Sequence, residues 1–279
     1  MTGFIPAGIG QWTEPDTFEV TEERIAQYAA ATNDPIPAHR DGSVAPPVFA
    51  IVPVFMSMIP ASLAIAPVEL AMRVVHGMQD FRFHQVIRPG MKLLSRARPV
   101  GYEGKENGTR AAIYVECRTE DGALVNEQWV TSFFRKVDAG PLVGSLAPSH
   151  VFPESLREQA PVAKVVSHVD ADQTFRYSAA SGDPMPIHLD DEIARLSGLP
   201  GIIAHGLCTM AFTSWAVLTE VAEGDTSRLR RLAVRFSRPV LPGQDITTRI
   251  WRSGAGSYAY ETTVGDTVVI KDGLAEVED

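Results

Sequence analysis

The segment from Tyr177 to Asp190, YSAASGDPMPIHLD, carries a carboxylate at Asp183 and an imidazole at His188 on one stretch that also holds Pro184 and Pro186. Gly182 permits the unusual dihedrals of a turn, and the two prolines stiffen the residues after it. Both side chains can then converge on one water. Such a pair suits acid–base work near neutral pH, because imidazole titrates in that range and a carboxylate can orient a water or take its proton. Downstream, Ala204-His205-Gly206 precedes an apolar stretch, Leu207 to Leu218, that reads as a helix. A glycine at a helix start leaves a backbone N–H unpaired and open to an incoming oxygen, a ready stabiliser for an enolate.

The same residues admit plainer readings. A short Asp/His pair also serves as a turn cap and a satisfied half-buried imidazole. Asp183, His188, Asp190 and Asp191 offer one His among carboxylates, with no second His or Cys nearby, which is poor spacing for zinc; no metal is expected. Cys208 reads as a small buried residue of the apolar helix rather than a nucleophile, since no base is placed for it.

The elements that must position the pair are duplicated. Tyr28 to Asp41, YAAATNDPIPAHRD, matches the segment above at eight of fourteen positions with an offset of 149. Phe83 to Gly90 matches Phe236 to Gly243 at an offset of 153. Two matches in the same order point to a repeated unit. The expected organisation is 1–137, a linker over 138–160 rich in Gly, Pro and Ser that crosses the surface, and 161–279. In each half a polar helix comes first, with Thr21 as a candidate cap in the first half. An apolar helix follows (Phe49 to Met58, then Leu207 to Leu218), and after it strands parted by turn signals at Glu103-Gly104, Asp121-Gly122, Gly265-Asp266 and Asp272-Gly273. Leu232, Val234 and Phe236 alternate onto one strand face. The fold class is α+β, with antiparallel strands wrapped around an apolar helix.

Lys and Arg number 25 against 34 Asp and Glu, a formal net charge of -9, which argues against a nucleic-acid partner. Two cysteines far apart suit a reducing compartment, and the N-terminus has no signal-peptide pattern, so a cytoplasmic location is expected. Val44 to Met72 is apolar enough to suggest a membrane span, yet it contains five prolines; it reads as a buried core helix with proline-bounded ends, and no membrane partner is expected.

The combination SGD, P-hydrophobic-H and a later HG resembles the signature of MaoC-like (R)-specific enoyl-CoA hydratases. Phe236 to Gly243 resembles the strand that follows in that family. Ala45 to Phe49, and His76-Gly77 followed by Phe81 to Gly90, resemble the N-terminal half of its double-hotdog members. The resemblance implies two hotdog domains packed as a pseudo-dimer, no metal or organic cofactor, and syn addition of water to a trans-2-enoyl thioester, giving a (3R)-3-hydroxyacyl product. It implies that Asp183 and His188 hold the water, one taking a proton and the other helping deliver one to C2, while the Gly206 N–H polarises the carbonyl. The thiol carrier would be CoA or acyl-carrier protein, and the resemblance leaves room for a homodimer. Met185 stands where the family usually has Asn.

Asp34 and His39 repeat the pair, but the position aligned with Gly206 is approximately Pro47, which has no N–H, and the first half lacks the stretch matching Asp191 to Pro200. One working site, in the second half, is expected, with the first half adding to the acyl-binding surface. Arg228, Arg230, Arg231, Arg235 and Arg238 crowd an otherwise acidic chain. Alternation puts Arg231, Arg235 and Ser237 on one face, a candidate substrate-binding surface together with His205, against the alternative of a solvated edge laced with salt bridges. A hotdog thioesterase and a non-catalytic acyl-thioester-binding module are the competing functions.

Overall fold

The computed structural model describes residues 3–278. Strand β1 (Asp16–Glu19) leads into α1 (Glu22–Ala31), where the Thr21 side chain accepts the Arg24 N–H at 3.2 Å as an N-cap should. After α2 (Pro37–Arg40) the apolar segment forms a 3-10 helix, Pro47–Val54, and then α3 (Phe55–Ile65). The strands β2 (Val74–Phe83), β3 (Lys92–Lys105), β4 (Gly108–Thr119) and β5 (Leu124–Arg135) complete the first half. A two-residue strand, β6 (Val143–Gly144), lies in the connection. The second half repeats the order: β7 (Ala163–His168), α4 (Gln173–Ser181), α5 (Asp191–Leu196), α6 (Gly206–Val221), then β8 (Leu229–Phe236), β9 (Asp245–Gly254), β10 (Ser257–Val264) and β11 (Thr267–Val277).

All strands join one antiparallel sheet in the order β1-β3-β4-β5-β2-β8-β11-β10-β9-β7, with β6 pairing β3. The halves meet where β2 pairs β8, from Met78 opposite Arg235 to Arg82 opposite Arg231. One core cluster runs through both halves and holds Phe49, Ile51 and Val54 of the 3-10 segment together with Met210, Phe212 and Val217 of α6. At the centre of the helical layer the repeat meets itself. The Tyr28 and Tyr177 hydroxyls, 149 positions apart, lie 3.2 Å from each other, and burial holds both phenols well above their usual pKa.

Four expectations are corrected. The apolar segment of the first half is two helices of different pitch rather than one buried helix. The chain is 3-10 through Val54, and only that part is buried throughout. In α3, which contains Pro60, Met56, Ile59 and Leu63 are exposed. Pro47–Ile65 is long and apolar enough to cross a membrane by length and composition, a property that core helices of soluble proteins share. Glu103-Gly104 lies inside β3, not in a turn. A side chain at residue 104 would collide with Asp138 and Gly140, so the glycine lets the connection pack against the strand. Asp272-Gly273 is a bulge inside β11: Asp272 has φ +54 and the pairing with β8 shifts between Lys271 and Leu274. The connection does more than cross the surface, because β6 pairs with Gly101 and Tyr102, and Phe152 and Leu156 are buried with Trp251.

Across the central seam, Arg231 grips Asp80 in two parallel bonds of 3.0 and 2.8 Å, with Asp80 only 1% and the Arg231 side chain 13% exposed. Removing one partner of such a pair strands a buried charge. Arg231→Met should therefore lower unfolding free energy by about 3 kcal/mol in urea melts. Asp80→Leu combined with Arg231→Met should recover most of that loss. Equal instability of the single and double variants would show that the charge pair is not what the seam depends on.

Candidate active site

Helix α4 ends at Gly182, whose φ of 78 turns the chain left-handed and delivers Asp183 to the far side of the turn. Three local bonds hold it there. The Ser178 hydroxyl donates to the Asp183 carbonyl at 2.7 Å, the Asp183 N–H donates to the Ser181 hydroxyl at 3.3 Å, and the Met185 N–H donates to Asp183 Oδ1 at 3.0 Å. It is the Met185 backbone that makes this tether, so a side chain other than Asn at 185 leaves it in place. The Asp183 Oδ2 oxygen has no protein partner among the described residues. The next turn, Pro186–His188, presents His188, whose Nδ1 donates to the Ile203 carbonyl at 2.8 Å. A carbonyl only accepts, so Nδ1 carries the proton and Nε2 the lone pair. Asp183 and His188 make no direct bond to each other among the described residues.

His205, at the N-cap of α6, supplies a second imidazole to the same cluster. One donor atom from each of Asp183, His188 and His205 lies within 4.8 Å of the others. The metal spacing judged absent from the sequence is thus partly present in space. Its geometry still suits a metal poorly: the His188 and His205 rings stack at 3.8 Å and 26°, which sends their in-plane lone pairs side by side rather than toward one point. The stack instead fixes the plane of His188, and the Tyr177 ring packs on the other partner, 4.9 Å from His205.

Gly206 begins α6, and no side chain caps that helix, so its first N–H groups are available to a ligand. A Cβ at 206 would stand 3.3 Å from the Phe236 ring, tighter than ordinary contact; glycine is what allows the phenyl to cover the helix start. Gly206, His188 and Thr209 line a cavity of about 250 Å³, walled mainly by Ile187, Leu199, Ile203, Phe236 and Val240. Leu199 comes from the stretch between the two motifs. The first half contributes Val75 and His76 at the start of β2 and Arg135 at the end of β5.

Burial dominates the electrostatics. It pushes the Asp183 carboxyl up, against the pull of the Met185 N–H and of His188, and it pushes His188 down. It takes His76 down to about 4 and His205 to about 2. All three imidazoles are held toward the neutral form.

Of the residues singled out in the sequence, Asp183, His188, His205 and Gly206 come together. Ser237 lines the cavity, with its hydroxyl spent on the Val268 carbonyl. Arg231 and Arg235 do not reach the cavity: Arg231 is committed to Asp80 and Glu276, and Arg235 is exposed beside Asp272 at 3.7 Å. Strand β8 ends at Phe236, so Ser237 lies past the strand, where alternation no longer sets the face a side chain takes. Arg238, beyond the same end, lines the cavity and has no ion-pair partner among the described residues. His76 and Thr209 were not singled out as site residues; only the pairing of β2 with β8 brings His76 across from the other half.

The first-half copy is wired differently. Asp34 keeps the same turn, with its Oδ1 accepting the Ile36 N–H at 2.9 Å. Its Oδ2, however, takes the His39 Nδ1–H directly at 2.8 Å, and His39 Nε2 is met by the Thr226 hydroxyl at 2.6 Å. Both members of the pair are buried, and Pro47 stands at the start of the 3-10 helix where Gly206 starts α6. The cleft beside it measures about 20 Å³.

The buried neutral imidazoles set an acid limit on stability. A histidine whose folded pKa is depressed contributes stability that is fully present above its unfolded value of 6.5 and is lost as pH falls toward the folded value. For His76 that loss amounts to about 3 kcal/mol between pH 6.5 and 4. His76→Phe should flatten the pH dependence of unfolding free energy in that window. An unchanged acid slope would show that His76 does not titrate on unfolding.

Residues 154–273 match the MaoC like domain family, and residues 7–128 match the FAS1-like dehydratase domain region. The chain is 30% identical to 3-hydroxyacyl-thioester dehydratase Y of Mycobacterium tuberculosis, over 97% of each chain. Its fold resembles the crystal structure of a MaoC-like dehydratase from Phytophthora capsici with a TM-score of 0.84, at 22% identity, over 99% of this chain and 98% of that one. A Mycobacterium tuberculosis protein described as a double hotdog aligns with a TM-score of 0.65 at 12% identity, over 96% of each chain. An open Asp/His pair beside an uncapped helix start, in a duplicated hotdog sheet that matches throughout its length, leads to one assignment: the chain belongs to the MaoC-like dehydratase family.

Proposed function

We propose that the chain adds water across the C2–C3 double bond of a trans-2-enoyl thioester to give the (3R)-3-hydroxyacyl thioester, or runs the reverse dehydration. The observation that carries this reading is that Asp183 and His188 approach within 4.8 Å while Asp183 Oδ2 and His188 Nε2 have no protein partner among the described residues, beside an uncapped helix start where His188 and Gly206 line an apolar cavity. Two such acceptors hold a water by both its protons. His188 Nε2 takes one proton as the oxygen bonds to C3. Charge then moves through C2 to the thioester oxygen, which the Gly206 N–H meets. C2 collects a proton from the Asp183/His188 pair on the same face, which returns the pair to its starting state and makes the addition syn. The apolar walls suit an aliphatic acyl chain, and Arg238 at the rim suits the phosphate of a phosphopantetheine arm, whether on CoA or on a carrier protein. The relatives support a place in fatty acyl metabolism. The two free, buried cysteines suit a reducing, cytoplasmic setting.

The closed state of the first copy supports a single hydration site. Crotonyl-CoA hydration, followed by loss of the enoyl-thioester absorbance, should fall by on the order of a thousandfold in both Asp183→Asn and His188→Ala, while His39→Ala retains most of the turnover. A loss in His39→Ala as deep as that in His188→Ala would overturn the single-site reading.

The pH profile carries a second test. His188 acts as a base only when neutral, and burial depresses its pKa, so activity should persist below the ordinary histidine value of 6.5. The acid limb of kcat/KM should therefore have its midpoint between the ordinary values of 3.8 and 6.5, as a property of the coupled pair. Asp183→Asn should move that midpoint in the residual activity. A limb above 6.5 would contradict the assignment of His188 as base.

A further inference from the structure

We propose that Thr226, backed by His39 and Asp34, is a second reactive centre, a nucleophilic hydroxyl that takes a short acyl group from a thioester. The duplicated pair is wired there as an orienter, a base and a nucleophile. Asp34 Oδ1 is held by the Ile36 N–H, and its Oδ2 accepts the proton of His39 Nδ1 at 2.8 Å. That bond fixes the tautomer, so the lone pair of Nε2 faces outward. The Thr226 hydroxyl donates to it at 2.6 Å. A carboxylate on one imidazole nitrogen and a hydroxyl on the other is the arrangement by which a weak nucleophile is activated, recognised by geometry and role rather than by chain order. The open copy has no equivalent, since its Nδ1 bonds a backbone carbonyl and no hydroxyl meets its Nε2 among the described residues.

The surroundings fit the chemistry. The side chains of Asp34 and His39 are 2% and 0% exposed, which keeps water from competing for the relay. Thr226 itself is half-buried, in a turn where Asp225 accepts the Ser227 N–H at 2.8 Å. It lines a cleft with Pro46, Pro47, Ala50, Phe83 and Arg230. The cleft volume of about 20 Å³ is close to that of one water-sized group, which leaves no room for an acyl chain longer than acetyl. Arg230 lies on the same cleft, with its guanidinium paired to Glu278.

The step balances without a further reactant. Thr226 Oγ1 attacks the thioester carbonyl carbon as its proton passes to His39 Nε2. The C–S bond then breaks, and His39 returns the proton to the departing thiolate. A free thiol and an acetyl ester on Thr226 result. Only the choice of a thioester as donor rests on the proposed function; the nucleophile does not.

The full chain, incubated with radiolabelled acetyl-CoA and separately with p-nitrophenyl acetate, then quenched in acid, can be read by intact mass and peptide mapping. One acetyl group, released by alkaline hydroxylamine as an ester should be, is expected on Thr226. It should form equally in His188→Ala, disappear in Thr226→Val and return in Thr226→Ser. Asp34→Asn should slow it by on the order of a hundredfold or more. Crotonyl-CoA hydration measured on the same Thr226→Val sample should be retained, which shows that the variant is folded and separates this test from that of the hydratase reading. An unlabelled wild-type Thr226, or equal labelling in Thr226→Val, overturns the proposal, and labelling by p-nitrophenyl acetate alone overturns its thioester donor.

Discussion

The pairing of β2 with β8 is the constraint on which the rest of the structure depends. It turns two half-sheets into one and puts the antiparallel seam at the pseudo-two-fold axis of the duplication, with the Tyr28 and Tyr177 hydroxyls meeting in the helical layer. Because the two strands run in opposite directions, the residues entering each one arrive at the other half's site. Val75 and His76, entering β2, wall the cavity of the second half; Thr226 and Leu229, around the entry to β8, line the cleft of the first. Neither site belongs to one half. The Arg231 grip on Asp80 bridges this seam, which explains why an arginine in the middle of a basic cluster serves the fold rather than a ligand.

Much of the fold was legible in the sequence, for specific physical reasons. A duplicated turn motif survives as sequence identity because Gly, Pro and Asp at a tight turn have few substitutes. The apolar helices and alternating strands show in their periodicity. What the sequence did not disclose were features that depend on a neighbouring backbone. Glu103-Gly104 and Asp272-Gly273 carry turn chemistry, yet one glycine serves close packing of the connection on β3 and the other a bulge in β11. The apolar segment of the first half reads as one helix, since composition does not show where the pitch changes after Val54.

The candidate site follows the same division. Asp183, His188 and Gly206 could be found because their chemistry is tied to short spacings along the chain. His205 was visible only as half of a dipeptide; its stacking on His188 requires the start of α6 to fold back over the Pro186–His188 turn. His76 could not be reached by any local pattern, as its role is set by a strand register between residues of different halves. Alternation groups Arg235 with Ser237 only if β8 runs one residue further than it does; past its end it is Arg238, not Arg235, that lines the cavity.

Residue identity at the two Asp/His pairs is the same, and the chemistry open to them is not. Both aspartates make the same turn bond through Oδ1. The difference lies in which oxygen takes the proton on histidine Nδ1. When it is the Ile203 carbonyl, the carboxylate stays independent and the pair can flank a water, one on each side. When it is the carboxylate itself, the two groups act in series and present a single basic nitrogen to whatever lies beyond, here the Thr226 hydroxyl. A parallel arrangement suits addition of water, because two separate groups must handle two protons on one face. A series arrangement suits one proton removed from one nucleophile. Duplication therefore supplies more than a spare site: by holding both pairs against one sheet, it lets a single hydrogen-bond choice separate two kinds of proton chemistry within one chain.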